Sequence, residues 1–242
     1  MELGYPHQFE PIPLYSFPGS GNTWVRHIIQ QATGYFTGSV YHDRELIDNG
    51  FVGEATDPLL GNTIVVKSHL SSQYESKSLF NVTSKCIILI RNPVNAIISE
   101  LNRVYSGSHT GYINLDEKVD NSTVLNFRRK ILGHMALFKK TYEDRLDNCP
   151  ERIFIFFENF QRDILYETDR IAKFLNAKHF RPSCVIKNPN GNWKRGFSTV
   201  TKQNIVKFLE NEDIKKIRNT ISQLNVTLHG ILPEEYKFNN IK

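Results

Sequence analysis

Short, almost unbroken apolar runs alternate along this chain with longer stretches in which apolar residues recur every three or four positions. The runs "IPLYSF" (12–17), "TIVVK" (63–67), "CIILI" (86–90) and "RIFIFF" (152–157) lack the alternation of a strand with one wet face, so they predict strands buried on both sides. The helical period predicts helices over 22–33, from Pro93 to about 104, over 126–145 and 163–175, and over 201–224 with a break near Asn211. Pro93 suits a first helical turn, where its missing N–H costs nothing. Buried strands separated by helices predict an α/β fold, a central parallel sheet flanked by helices on both faces. No repeat, low-complexity tract or linker divides the chain, so residues 1–242 read as a single domain.

In such a sheet, ligands sit beyond the carboxyl ends of the strands. The four predicted strands run directly into "SFPGSGNTW" (16–24), Lys67-Ser68-His69, Arg91-Asn92-Pro93 and Glu158-Asn159, so these segments share one rim. In the first, Gly19 and Gly21 let the backbone come close to a ligand, and the N–H groups opening the next helix are anion donors. A phosphate is the natural guest. The G-x-x-x-x-G-K-[ST] pattern is absent, and no magnesium-binding carboxylate is recognisable.

At 242 residues, with 40% hydrophobic and 23% charged content, the chain has the makeup of a globular protein. Its net charge of +5 favours anionic partners. The basic residues are scattered, which argues against nucleic acid. No apolar run approaches the roughly 20 residues of a membrane span, and the N-terminus lacks the layout of a signal peptide. Three N-x-[ST] triplets, at Asn81, Asn121 and Asn225, fit a secretory compartment. The three cysteines are too few for a disulfide framework and have no metal-ligand spacing. Cys86 reads as a core thiol, leaving Cys149 and Cys184 as a pair able to bridge in an oxidising lumen.

"SFPGSGNTW" together with "IRNPVNAIIS" (90–99) resembles the paired nucleotide signature of sulfotransferases, which use 3′-phosphoadenosine-5′-phosphosulfate (PAPS) as donor and release adenosine 3′,5′-bisphosphate (PAP). The resemblance implies the P-loop-type sulfotransferase fold. It also implies that Gly19, Ser20, Gly21, Asn22, Thr23 and Trp24 hold the 5′-phosphosulfate, with Trp24 stacking on adenine, and that Arg91 and Ser99 hold the 3′-phosphate. "VVKSHL" is similar to the family's K-T-H-L and makes His69 the base and Lys67 the cation on the transferring group. Those residue types suit the chemistry: a hydroxyl must lose a proton, and the donor oxygens need positive charge. "KNPNGNWKRGF" (187–197) is similar to the loop that folds over the 3′-phosphate, which adds Lys187, Asn188 and Gly191 to the nucleotide site, although Ile186 and Asn188 depart from its Arg and Gly. Phe157 stands where the family has Tyr. No metal is implied.

The main departure is Gly19, where cytosolic members carry a lysine that neutralises the leaving phosphate. The run "SFPGSGNTWVRHIIQQATGYFTGS", with "TGSVY", "NGFVGE", "VVKSH" and "LIRNP", is similar to the sulfotransferase domain of WSC-domain-containing sulfotransferases, whose loop also has Gly there. That likeness implies a hydroxyl acceptor on a carbohydrate or glycoconjugate, sialic acid among them. It also implies a Golgi-lumen location, reached through an anchor not present in this chain; a cytoplasmic location is the alternative. Tyr35, Tyr41, His109 and Tyr112 are candidates for acceptor contact, while Arg103, Arg128 and Arg129 read first as solvated helix positions and second as contacts for an anionic glycan. Two other readings stay open: a P-loop-type small-molecule kinase, and an inactive nucleotide- or glycan-binding domain.

Overall fold

The computed structural model describes residues 1–69, 79, 83–109, 111, 121–146, 149–191, 193 and 209–237. Among them, the strands are β1 (Pro13–Ser16), β2 (Gly38–Ser39), β3 (Val66–Ser68), β4 (Lys85–Ile90) and β5 (Glu151–Phe156). They form one parallel sheet in the order β2-β3-β1-β4-β5. The helices are α1 (Asn22–Thr33), α2 (Arg44–Asp48), α3 (Pro93–Ser106), α4 (Asn121–Leu146), α5 (Phe157–Arg162), α6 (Ile164–Phe174), α7 (Pro182–Lys187) and α8 (Asn211–Thr227). Single 3-10 turns lie at Val52–Ala55 and Glu234–Tyr236.

The sheet carries an apolar core on each face, as its continuous strands require. On one side Cys86, Ile88 and Ile90 of β4 pack with α3, α4 and α8 through residues such as Ile97, Phe138 and Ile221. On the other Leu14, Ile87 and Ile155 meet α1, α6 and α7 through Val25, Ile28, Ile171 and Val185. The expected helices over 22–33, 93–104, 126–145 and 163–175 are all present, two of them extended outward. The last helix begins at Asn211 because Glu210 caps it: its side chain accepts from the third helical N–H while Asp213 accepts from the Glu210 N–H. Residues 201–208 of that expected helix lie outside the described residues.

Two expectations change. "TIVVK" forms ladder pairs only from Val66, although Ile64 and Val65 are buried. The disulfide joins Cys86 to Cys149, and Cys184 is a free thiol. Cys86 lies in β4 and Cys149 just before β5, the parallel neighbour whose register sets Lys85 against Glu151, and the two Cα atoms are 6.0 Å apart. Cys184 sits on α7, against the opposite face of the sheet from the β4 cysteine.

Candidate active site

A cleft of about 650 Å³ opens beyond the carboxyl ends of the strands. Gly19, Gly21, Asn22, Thr23, Trp24, Lys67, His69, Arg91 and Ser99 all line it, so most of the residues singled out in the sequence converge there.

The loop between β1 and α1 is shaped by its glycines. Gly19 has φ +79°, and a Cβ there would lie 2.2 Å from the Ala96 carbonyl oxygen and 2.8 Å from the Glu100 nitrogen, both in the α3 backbone. Gly21 has φ +89°, and its Cβ would lie 2.3 Å from the Phe157 ring. A lysine at position 19 is therefore excluded twice, by backbone conformation and by the helix packed against the loop. No side chain caps α1, and its first bond runs from the Val25 N–H to the Gly21 carbonyl. The N–H groups of Asn22, Thr23 and Trp24 have no intrahelical partner and make the anion-binding end of α1.

Asn22 contributes its backbone N–H to that end of α1, while its side chain braces the loop from within. Its side-chain amide is buried and donates to the Leu14 carbonyl at 3.1 Å and to Ser16 Oγ at 3.1 Å, bracing the loop against β1. The Ser20 side chain is also buried beneath the loop rather than lining the cleft. Arg91 Nη1 donates to the Gly19 carbonyl at 2.9 Å, and its guanidinium lies 4.4 Å from the Phe157 ring centroid, so the end of β4 and the loop are tied together. The turn that carries Arg91 is fixed from the start of α5: Glu158 accepts from the Asn92 N–H and from the Tyr236 hydroxyl.

His69 is held on two sides. Its Nδ1–H donates to the Ser16 carbonyl at 2.9 Å, which leaves Nε2 as the basic nitrogen. Its backbone N–H donates to the Tyr41 hydroxyl at 2.8 Å, and the two rings lie 5.3 Å apart. Burial, and then the positive charge of Lys67, hold the imidazole down at about 3. Lys67 is 5% exposed, and its ammonium makes no hydrogen bond or ion pair with any described residue and lies 5.4 Å from the Tyr41 ring centroid. Burial, with the charge of Arg26 behind it, brings Lys67 down to about 8. An uncompensated ammonium beside a neutral imidazole is a site prepared for an anion.

Across the cleft, Asp43, Glu100, Arg103 and His109 complete the lining. His109 Nε2–H donates to Asp43 Oδ2 at 2.8 Å, and Arg103 binds both oxygens of Glu100 at 2.8 and 2.6 Å. Burial works to raise the Asp43 carboxyl, but the His109 hydrogen bond and the charges of His109 and Lys67 outweigh it and hold the group low. Arg103, read from the sequence first as a solvated helix position and second as a contact for an anionic glycan, lines the cleft. Arg128 instead pairs with Glu210 and Asp213, away from the cleft. Sequence reasoning also missed Asp43 and Glu100, since nothing near them in the chain marks a site.

The segment after α7 reaches the cleft through Asn190 and Trp193. Trp24 Nε1–H donates to the Pro189 carbonyl at 2.8 Å, and Trp193 packs edge-on against Phe51. Lys187, Asn188 and Gly191 do not line the cleft. Lys187 is exposed at the end of α7, while Asn188 and Gly191 form the turn against His27, whose Nε2 lies 2.9 Å from the Asn188 carbonyl. Leu70, Tyr112, Lys194 and Phe197 lie outside the described residues, as does Asn81. Among the described residues, no group of three or more His, Cys, Asp or Glu gathers as a metal ligand set, and no helix is long and apolar enough to cross a membrane.

Comparison with known proteins bears on the family and the fold. A family model described as "Sulfotransferase domain" matches residues 10–227. A WSCD family member of Drosophila melanogaster is 46% identical over 103 residues, covering 43% of this chain and 30% of the relative, and one of Aedes aegypti is 43% identical over the same length and shares. The aligned stretch thus spans about a third of the curated relatives. Among solved structures, retinol dehydratase in complex with androsterone and inactive cofactor PAP superposes with a TM-score of 0.51 at 14% identity, over 90% of this chain and 82% of that one. At that identity the likeness concerns the fold.

Proposed function

Because the chain belongs to the sulfotransferase family, we propose that it transfers a sulfuryl group from PAPS to a hydroxyl acceptor, releasing PAP. The observation that carries this reading is the arrangement of His69, with Nδ1 bonded to the Ser16 carbonyl and Nε2 without a partner among the described residues, in the same cleft as Lys67 and the open N–H end of α1. The acceptor oxygen attacks sulfur, the bond from sulfur to the 5′-phosphate oxygen breaks in line with it, and the acceptor proton passes to His69 Nε2. The N–H groups of Asn22 to Trp24 hold the 5′-phosphosulfate, Lys67 neutralises charge on the transferring group, and Arg91 with Ser99 holds the 3′-phosphate. Arriving donor charge offsets the repulsion from Lys67, so binding itself raises the basicity of His69 at the moment a base is required.

The acceptor side is polar, with Asp43, Glu100, Arg103 and His109 around Tyr41, which suits a glycan better than an apolar alcohol. The Cys86–Cys149 disulfide and the sequons support an oxidising secretory lumen, the Golgi in this reading. The test is incubation with sulfur-labelled PAPS and matched sialylated and asialo glycans. Label on a glycan that disappears with His69→Ala is expected; donor turnover indifferent to His69→Ala would contradict the assignment.

A further inference from the structure

Tyr41 and Asp43 both line the cleft although a single residue separates them. Between them the backbone leaves β2 and must turn at once to open α2. His42 makes that turn at φ +50°, a conformation a non-glycine residue adopts only when its surroundings hold it. The holding is done by Glu54. Its carbonyl accepts from His42 Nδ1–H at 2.8 Å, and its Oε2 accepts from the Asp43 N–H at 3.1 Å. Its other oxygen meets Arg26 Nη1 at 2.5 Å, with both side chains fully buried.

Arg26 belongs to α1, the helix that opens at the phosphate-binding loop. Its Nε and Nη2 donate to the Thr37 hydroxyl and carbonyl at 2.9 and 3.1 Å, and Phe51 lies 4.6 Å from the guanidinium. The pair therefore fastens the 37–55 segment to the donor-side helix. What that segment delivers is Tyr41, whose hydroxyl accepts the His69 N–H and whose ring faces both His69 and Lys67. A buried pair of this kind is weak evidence for stability, since apolar residues would fill the space as well. Its geometry has a specific consequence for the reactive groups.

We propose that Glu54 is a positioning residue: clamped by Arg26, it sets the His42 turn and so places Tyr41 and Asp43 against His69 and Lys67. The proposal rests on the sulfotransferase reading only in calling His69 and Lys67 the reacting pair, and its test needs no acceptor. The charged groups around Lys67 are Arg26 on α1, Asp43 at the start of α2, Glu54 in the 3-10 turn and Arg103 on α3, with His69 beyond β3. Glu54 and Asp43 raise the Lys67 pKa, and Arg26 and Arg103 lower it.

The experiment is pH-dependent acetylation of Lys67 by acetic anhydride, read by peptide mass spectrometry, alongside imidazole nitrogen NMR of His69 and calorimetry with PAP. Wild type titrates Lys67 with a midpoint about 8. In Glu54→Gln the midpoint falls by about half a unit or more, because a raising charge is gone while Arg26 stays. The His69 resonances shift, and PAP affinity changes less than about threefold, since the loop is untouched. A folded Glu54→Gln with the His69 resonances unmoved overturns the proposal, whatever the Lys67 midpoint does, since the lost charge alone moves Lys67.

Should that variant fail to fold, Arg26→Met combined with Glu54→Gln decides. It removes both charges and the Arg26 clamp, so the Lys67 midpoint stays level or rises while the His69 resonances move, because that clamp no longer holds the His42 turn. His69 resonances unmoved in the double variant overturn it equally. Loss of PAP binding in wild type would instead strike the sulfotransferase reading and leave the Lys67 and His69 results standing.

Discussion

The two halves of the cleft are built by different means. The donor half is local: β1, its loop and the first turn of α1 are contiguous, and Arg91 joins them from the end of the neighbouring strand. The acceptor half is assembled from residues far apart in the chain, Tyr41, Asp43, Lys67, Arg103 and His109, held by a buried ion pair and by side-chain bonds between loops. A contiguous motif announces itself in sequence because backbone geometry demands particular residue types at fixed offsets. A site made by tertiary contact makes no such demand on spacing.

The sharpest way to separate the halves is to remove the group on which the chemistry turns. His69→Ala is expected to cut turnover by about 100- to 10,000-fold, while calorimetry finds PAP affinity within about twofold of wild type, because no donor contact is assigned to the imidazole. Equal loss of binding and turnover would mean that the halves are not separable at His69.

Next in size is Gly19→Lys, which restores the residue that the cytosolic pattern carries. With φ +79° and the α3 backbone 2.2 Å from the new Cβ, it should cost about 3 kcal/mol or more in denaturant unfolding. A variant of wild-type stability with tighter PAP binding would show that the loop yields and that the departure is not steric. Replacing Cys86 and Cys149 by Ala should cost about 3 kcal/mol without altering the cleft, because the disulfide closes a 63-residue separation at the base of β4 and β5, remote from the rim.

The smallest effect is in pH. Lys67, lowered to about 8, is charged below that value and neutral above it, so cationic assistance is lost as pH rises. kcat/KM should fall about tenfold between pH 7 and 9. His69, held at about 3 in the free site, is already the neutral base across the physiological range. The acidic limb near 6.5 that an ordinary histidine would produce should be missing from kcat/KM. Its presence would place His69 in a wetter or less positive setting than this cleft provides.

Continuous apolar runs at 86–90 and 152–157 were enough to foretell buried parallel strands, while Pro93 marked the start of α3 and the glycines marked the anion-binding loop. β2 was illegible because two small residues carry no period, and it exists only through pairing with β3. The Cys86 partner was hidden for a related reason: a strand's own pattern does not say which strand lies beside it. Arg26 and Glu54 were hidden because each looks like a surface residue until both are buried together. The motif was legible at Gly19 as a departure, but its cause, the backbone of α3, was not.

The central claim is that the donor half reads a 3′-phosphorylated nucleotide, and calorimetry with PAP against adenosine 5′-monophosphate, in wild type and Arg91→Ala, tests it most directly. The account predicts that wild type binds PAP at least about tenfold more tightly than the monophosphate and that Arg91→Ala erases the difference. Equal affinity for the two nucleotides in wild type, with no effect of Arg91→Ala, would contradict it.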